Sequence, residues 1–319
     1  MRYHAGMTSP GDPSIFEPVR YPQWQRALGS RWWKPWLALL IFGLIYGGSL
    51  LLLRAGVNAL GPGVRADEVP WFLLLLNLSL IGLIPASMLA VRLGYWHPAG
   101  SLLSLWQRMR WGWLLRAWAV SWLAMGPLLL LDLFLVAPHP IDLRGQMLWP
   151  VVMLLFLTPL QCAGEELAFR GLAAQVVGSF FRQRVVSIAL SLLIPSLLFA
   201  MMHGPQDGPL FLARFGLGLL FGWLTLRTGG LEAAIALHTL NNQTAFLDAI
   251  FTNQLQEALF MTKVDWITAV VQLLLVGLAA WIIWRAYQNR EAARWTLPHW
   301  PAQKPVATAE ANESRAAQG

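Results

Sequence analysis

Long apolar runs, separated by short polar and basic stretches, make up most of the chain. Eight of them approach the length of a membrane-spanning helix, which needs about 20 mostly apolar residues. They lie at roughly 36–53, 70–92, 112–136, 147–164, 185–202, 209–226, 231–251 and 266–284. They are too long for ordinary strands and lack the alternation of barrel strands, so the pattern predicts helices. The expected fold is all-α: a polytopic transmembrane helix bundle of about eight spans. Residues 1–35, ending QRALGSRWWKP, are polar, aromatic and basic and read as a cytoplasmic N-terminal segment. The first apolar run starts at Trp36, late for a secretory signal, so an uncleaved first span is expected. Residues 36–285 then form the transmembrane domain, and the polar, Ala-rich stretch 286–319 a disordered cytoplasmic tail.

Composition strengthens this picture. Only 12% of the 319 residues are charged and 56% are hydrophobic, with a mean hydropathy of +0.51. A soluble domain carries about a quarter charged residues. The single cysteine, Cys162, excludes a disulfide framework and a cysteine-rich zinc site. The high pI, near 10.2, is better explained by cytoplasmic loops than by nucleic-acid binding. With the N-terminus inside, 18 of the 23 basic residues fall in cytoplasmic stretches and four outside, with Arg214 within a span. That asymmetry supports eight spans with both termini cytoplasmic. Trp32, Trp33, Trp36, Trp71, Trp111, Trp149, Trp266 and Trp284 lie near span ends, as an interfacial belt would.

Ionisable groups at membrane depth are costly and point to function. Here they are Asp132, Glu165, Glu166, Arg170, His203, Arg214, His238 and Asp248, with Asn242 and Gln243 as uncharged polar neighbours. Glu166 and Arg170 are four apart, share a helical face and have the favoured acid-first order. Glu165 points about 100° away. This spacing predicts a Glu166–Arg170 pair and leaves Glu165 free for chemistry. His203 closes the segment FAMMH, one turn after Phe199. His238 and Asn242 share a face of LEAAIALHTLNN. Each element alone suits a structural role. Together they supply a base, two proton carriers and an amide donor, a set that an apolar bundle does not need. Arg214 requires a partner, Glu166 or Asp248, while Asp132 and Asp248 are expected at an outer rim. Cys162 reads as an ordinary core residue.

In order and spacing, EELAFRG at 165–171, FAMMH at 199–203 and HTLNN at 238–242 resemble the three signature motifs of the CPBP (Abi) family. These are the CAAX prenyl protease and bacteriocin-processing intramembrane proteases. The flanking TPLQCAGEE and RTGGLEAAIALH are similar to bacterial members. The resemblance covers about residues 147–245 and implies a protease core at about 147–251. It also implies a peptide or membrane-protein substrate and residence in the bilayer of the bacterial plasma membrane. Position by position, it makes Glu165 the group that activates water and His203 the histidine that assists it. It places His238 and Asn242 at the scissile carbonyl, and Glu166 and Arg170 complete the first motif. Members are often described as metalloproteases. The chain has no HExxH box, and two histidines with one or two glutamates could hold zinc only if their helices converge. The reading adopted is glutamate-activated water without an obligatory cofactor.

Two other classes remain open on the same residues. One is a transporter or proton-coupled carrier in which Glu and His relay protons. The other is a non-catalytic immunity or scaffold protein. The span map also contains a tension. If the fourth span ends at 164 and the fifth runs outward from 185, Glu165 and His203 lie at opposite faces. A long fourth helix, about 148–181, with Glu165 at mid-depth removes the difficulty; a kink at Pro195 is the alternative.

Overall fold

The computed structural model describes residues 18–61, 69–131 and 148–291. Asp132, residues 1–17 and the expected tail from 292 onward lie outside these described residues. Among them the backbone forms helices, with no strand beyond a single bridge between Ser104 and Gly230. Eight long helices follow one another. They are α1 Lys34–Ala59, α2 Trp71–Tyr95, α3 Trp111–Leu131, α4 Leu148–Phe180, α5 Arg184–Met201, α6 Gly208–Thr228, α7 Glu232–Phe251 and α8 Trp266–Glu291. Six of them, all but α3 and α7, are long and apolar enough to cross a membrane. The chain is a multi-pass integral membrane protein, and exposed leucines on α1 (Leu40, Leu44, Leu51 and Leu52) present the kind of surface that lipid covers.

Helix α7 differs from the rest. Every side chain from Glu232 to Asn241 is buried. Too polar for lipid, the helix runs through the middle of the bundle and packs on α3, α4 and α6. Ala233, Ala234, Leu237 and Leu240 form its share of a core with Trp113 and Ala117 of α3, Phe221 and Leu224 of α6, and Ala280 and Ile283 of α8. The alanines leave room for the large side chains opposite.

The ends of the helices that charge assigned to one side of the membrane do gather at one end of the bundle. Lys34 Nζ donates to the Tyr95 carbonyl at 2.8 Å. Gln25 donates to Ser101 Oγ at 2.9 Å and to Gln175 Oε1 at 2.7 Å, joining the N-terminal segment, the loop after α2 and the end of α4. In the same loop Arg110 pairs with Glu232 at the start of α7 and reaches Tyr287 near the end of α8, at 3.4 Å. The part of the N-terminal segment that is described is thus docked, with Tyr21 and Trp24 fully buried.

The fourth helix overruns the 147–164 apolar run and matches the long alternative of about 148–181. It continues for 33 residues to Phe180, with an irregular step at Leu157 and a π-helical stretch Leu167–Ala173 immediately after the paired glutamates. The continuation is possible because Arg170 finds its charge partner inside the protein and GLAAQVVGSFF beyond it is mostly apolar. Glu165 therefore lies near mid-helix. Ser187 Oγ donates to the Gly178 carbonyl at 3.1 Å and Ser191 Oγ to the Ala174 carbonyl at 2.9 Å. This antiparallel register carries Phe199 to the level of Phe169, with ring centroids 5.5 Å apart. It brings His203, one turn further, to the depth of Cys162 and Glu165. The depth conflict is gone, and α5 runs continuously through Pro195 to Met201 without needing the kink.

Two glycines set the packing of α4. A Cβ on Gly164 would collide with the Leu80 carbonyl of α2. A Cβ on Gly178 would collide with Pro22, so the N-terminal segment makes the close approach there. Gly164→Ala is expected to destabilise the protein by about 1–3 kcal/mol, as overpacking does. The drop would be read as a lowered unfolding temperature in detergent.

Candidate active site

Four side chains of α4 make two i, i+4 pairs on neighbouring faces. Arg170 Nη1 donates to Glu166 Oε1 at 2.9 Å, with both side chains buried. Glu165 instead accepts from Gln161 Nε2 through its Oε2. The predicted separation of the two glutamates is what the structure has: the guanidinium serves one and not the other.

His238 enters from α7, two turns after its start. Its Nδ1 lies 2.8 Å from the same Glu166 Oε1, and because an ionised carboxylate only accepts, the imidazole donates there. That bond turns Nε2 toward Glu165 Oε2, 3.6 Å away, and toward Asn242 Nδ2, 3.4 Å away. The ring is stacked on Phe221 at 4.8 Å and meets the edge of Phe199 at 5.7 Å. The Arg170 guanidinium lies over Phe199 at 4.4 Å and Phe221 at 5.3 Å. These aromatic walls hold the charged groups while giving them cation–π stabilisation in place of water. Two carboxylates and one guanidinium leave one negative charge uncompensated, so a proton on His238 makes the cluster neutral. Glu165 and His238 Nε2 are the two places such a proton can sit.

His203 completes the set at the exposed margin. Its Nδ1 donates to the Phe199 carbonyl at 2.7 Å, leaving Nε2 available, and its ring packs on Phe199 at 4.7 Å. Phe199 thus stands between the two histidines. No hydrogen bond joins His203 to Glu165.

The remaining sequence candidates divide. Arg214 pairs with neither Glu166 nor Asp248, the partners expected for it: its Nη1 donates to Gln206 Oε1 at 2.9 Å. Glu166 already serves Arg170 and His238 and lies in the bundle interior. Gln243 donates to the Leu154 carbonyl at 3.3 Å and ties α7 to α4. Cys162 is buried, as expected, but at the site itself, 3.5 Å from Asn242 Nδ2. A metal fits poorly. Among the described residues no three His, Cys, Asp or Glu side chains are grouped as a metal ion requires. The Glu166 oxygen that faces His238 is engaged by two donors.

Sequence reasoning missed two elements. Gln161 stands four residues before Glu165, the same spacing that exposed the Glu166–Arg170 pair, and applying that rule to amides would have found it. Glu232 and Arg110 are 122 residues apart, and no local pattern links them. The one hint is an acid opening a predicted span.

Residues 147–244 match the family model described as type II CAAX prenyl endopeptidase Rce1-like, an interval that holds all six motif positions. A Bacillus subtilis (strain 168) protein, the uncharacterized protein YyaK, is 25% identical over 224 residues, covering 62% of this chain and 71% of the relative. No solved structure matches the chain. With three motifs from α4, α5 and α7 meeting around one cluster, residues 147–244 are similar to the type II CAAX prenyl endopeptidase Rce1-like family of membrane-embedded proteases.

Proposed function

We propose that the chain is an intramembrane endopeptidase in which Glu165 activates the hydrolytic water, with no obligatory metal. The observation that carries this reading is the pair Glu165 Oε2 and His238 Nε2, 3.6 Å apart, with Glu166 and Arg170 fixing the imidazole from behind. In the proposed step Glu165 takes a proton from water, the water oxygen bonds to the peptide carbonyl carbon, and the carbonyl π electrons move onto oxygen. Protonated His238 donates to that oxyanion through Nε2, and Asn242 swings its amide from the imidazole to the same oxygen. Glu165 then passes its proton to the leaving amine nitrogen as the C–N bond breaks. His203 Nε2, at the margin, orients the water. The site lies in a bundle interior where such donors act strongly because bulk water does not compete.

The residues differ in expected weight. Asn242→Ala removes one oxyanion donor and should lower kcat by about 10²–10³-fold. His203→Ala should cost as much or more, because it acts on the nucleophile in every turnover. Initial rates of purified variants in lipid nanodiscs check both, and wild-type rates in His203→Ala would remove it from the mechanism.

The decisive experiment is substrate-trapping proteomics with a Glu165→Gln variant beside wild type. The expected result is a membrane-protein or peptide substrate retained by the variant and cleaved by wild type. Proton-coupled flux through reconstituted wild-type protein, with no captured substrate and no new peptide ends, would replace this reading with that of a carrier.

A further inference from the structure

We propose that Gln161 is the positioning residue of the general base, holding one oxygen of Glu165 so that the other faces water. The inference rests on the role proposed for Glu165. Gln161 is buried, and its Nε2 donates to Glu165 Oε2. His238 Nε2 approaches that same oxygen, at 3.6 Å. Both neighbours therefore crowd Oε2, and neither bonds Oε1. An amide N–H can donate but cannot accept. A proton taken from water has no place between Gln161 and Oε2, so it settles on Oε1, the oxygen that neither neighbour engages.

The orientation of the amide is itself set. Gln161 Oε1 accepts from the Cys162 thiol at 3.4 Å, which leaves the NH₂ end for Glu165. Cys162 Sγ in turn lies 3.5 Å from Asn242 Nδ2. A continuous row of Glu165, Gln161, Cys162 and Asn242 thus joins the base to the amide proposed to stabilise the oxyanion. Gln161 does not touch the reacting atoms. It acts by denying Glu165 the rotation that would exchange its two oxygens.

The test uses two full-length variants in nanodiscs. Gln161→Met keeps length and burial but has no donor; Gln161→Glu donates only when protonated. Two readouts are taken: kcat and KM on the substrate captured by Glu165→Gln, and the infrared carboxyl band of Glu165, assigned by subtracting the Glu165→Gln spectrum. Gln161→Met is expected to lower kcat by about 10- to 100-fold with KM little changed, the signature of lost alignment. It should also shift the Glu165 band. Gln161→Glu should regain activity toward acid pH and lose it as pH rises. An unmoved band, or wild-type kcat in Gln161→Met, overturns the proposal. If Gln161→Met does not fold, the pH profile of Gln161→Glu decides, and a profile matching wild type overturns it. If wild type cleaves nothing, the peptidase reading fails, while the band still decides whether Gln161 holds Glu165.

Discussion

Turnover in Glu165→Gln is expected to fall by at least about 10²–10⁴-fold, the usual contribution of a general base. Protein yield and unfolding temperature should stay close to wild type. The second half of this expectation follows from the charge count. With Glu165 ionised, the buried cluster needs an added proton on His238 to reach neutrality. With glutamine there, Glu166 and Arg170 balance each other at 2.9 Å and His238 can remain neutral while still donating Nδ1–H to Glu166. The substitution removes the base and disturbs little else. Paired measurements of initial rate and thermal unfolding in nanodiscs test it. Near-normal hydrolysis of a captured substrate by the variant would refute the assignment.

Arg110→Ala is expected to destabilise the fold by about 3–5 kcal/mol, the cost of leaving one member of a buried ion pair alone. Arg110 grips Glu232 with three bonds: its backbone N–H and Nε to Oε1, each at 2.9 Å, and Nη2 to Oε2 at 2.7 Å. Neither side chain is exposed. Trp106, with its ring 4.6 Å from the guanidinium, covers one side. Without Arg110, Glu232 must lose its charge or draw water into the bundle. The double variant Arg110→Met with Glu232→Leu should recover most of the loss, since apolar replacements of a buried pair are often tolerated. Denaturation monitored by tryptophan fluorescence separates the two cases. Wild-type stability in Arg110→Ala would mean that the pair does not anchor α7.

Much of the architecture was legible because bilayers impose simple rules. Apolar run length placed eight helices, ending only the fourth well short, and the bias of basic residues grouped their ends as the contacts do. The site was legible where its logic is local: Glu166 and Arg170 lie one turn apart, as do His238 and Asn242. What failed was non-local. Run length alone ends α4 at 164, because a charged interruption looks like a span end; its continuation to about 181 was legible only from the depth His203 requires and from GLAAQVVGSFF, which stays apolar past Arg170. The partner of Arg214 was misjudged for a related reason. Carboxylates were the obvious candidates, but the loop after His203 folds back and offers the amide of Gln206 instead. Gln161 was overlooked because a neutral amide among apolar residues carries no charge signal.

The central position of α7 bears on how the protein is made. A segment holding Glu232, His238, Asn241, Asn242 and Gln243 would partition poorly into lipid as it leaves the insertion machinery, where each charged residue at a helix centre costs about 2.5–3.5 kcal/mol. Its counterparts, Arg110 and Glu166, are synthesised earlier and are already waiting. Biogenesis should therefore depend on chain order: α7 is accepted by a pre-assembled cradle of α3, α4 and α6 rather than inserted alone. A truncation ending just after α7 would then integrate stably, whereas α6 and α7 expressed without the preceding helices would be extracted and degraded.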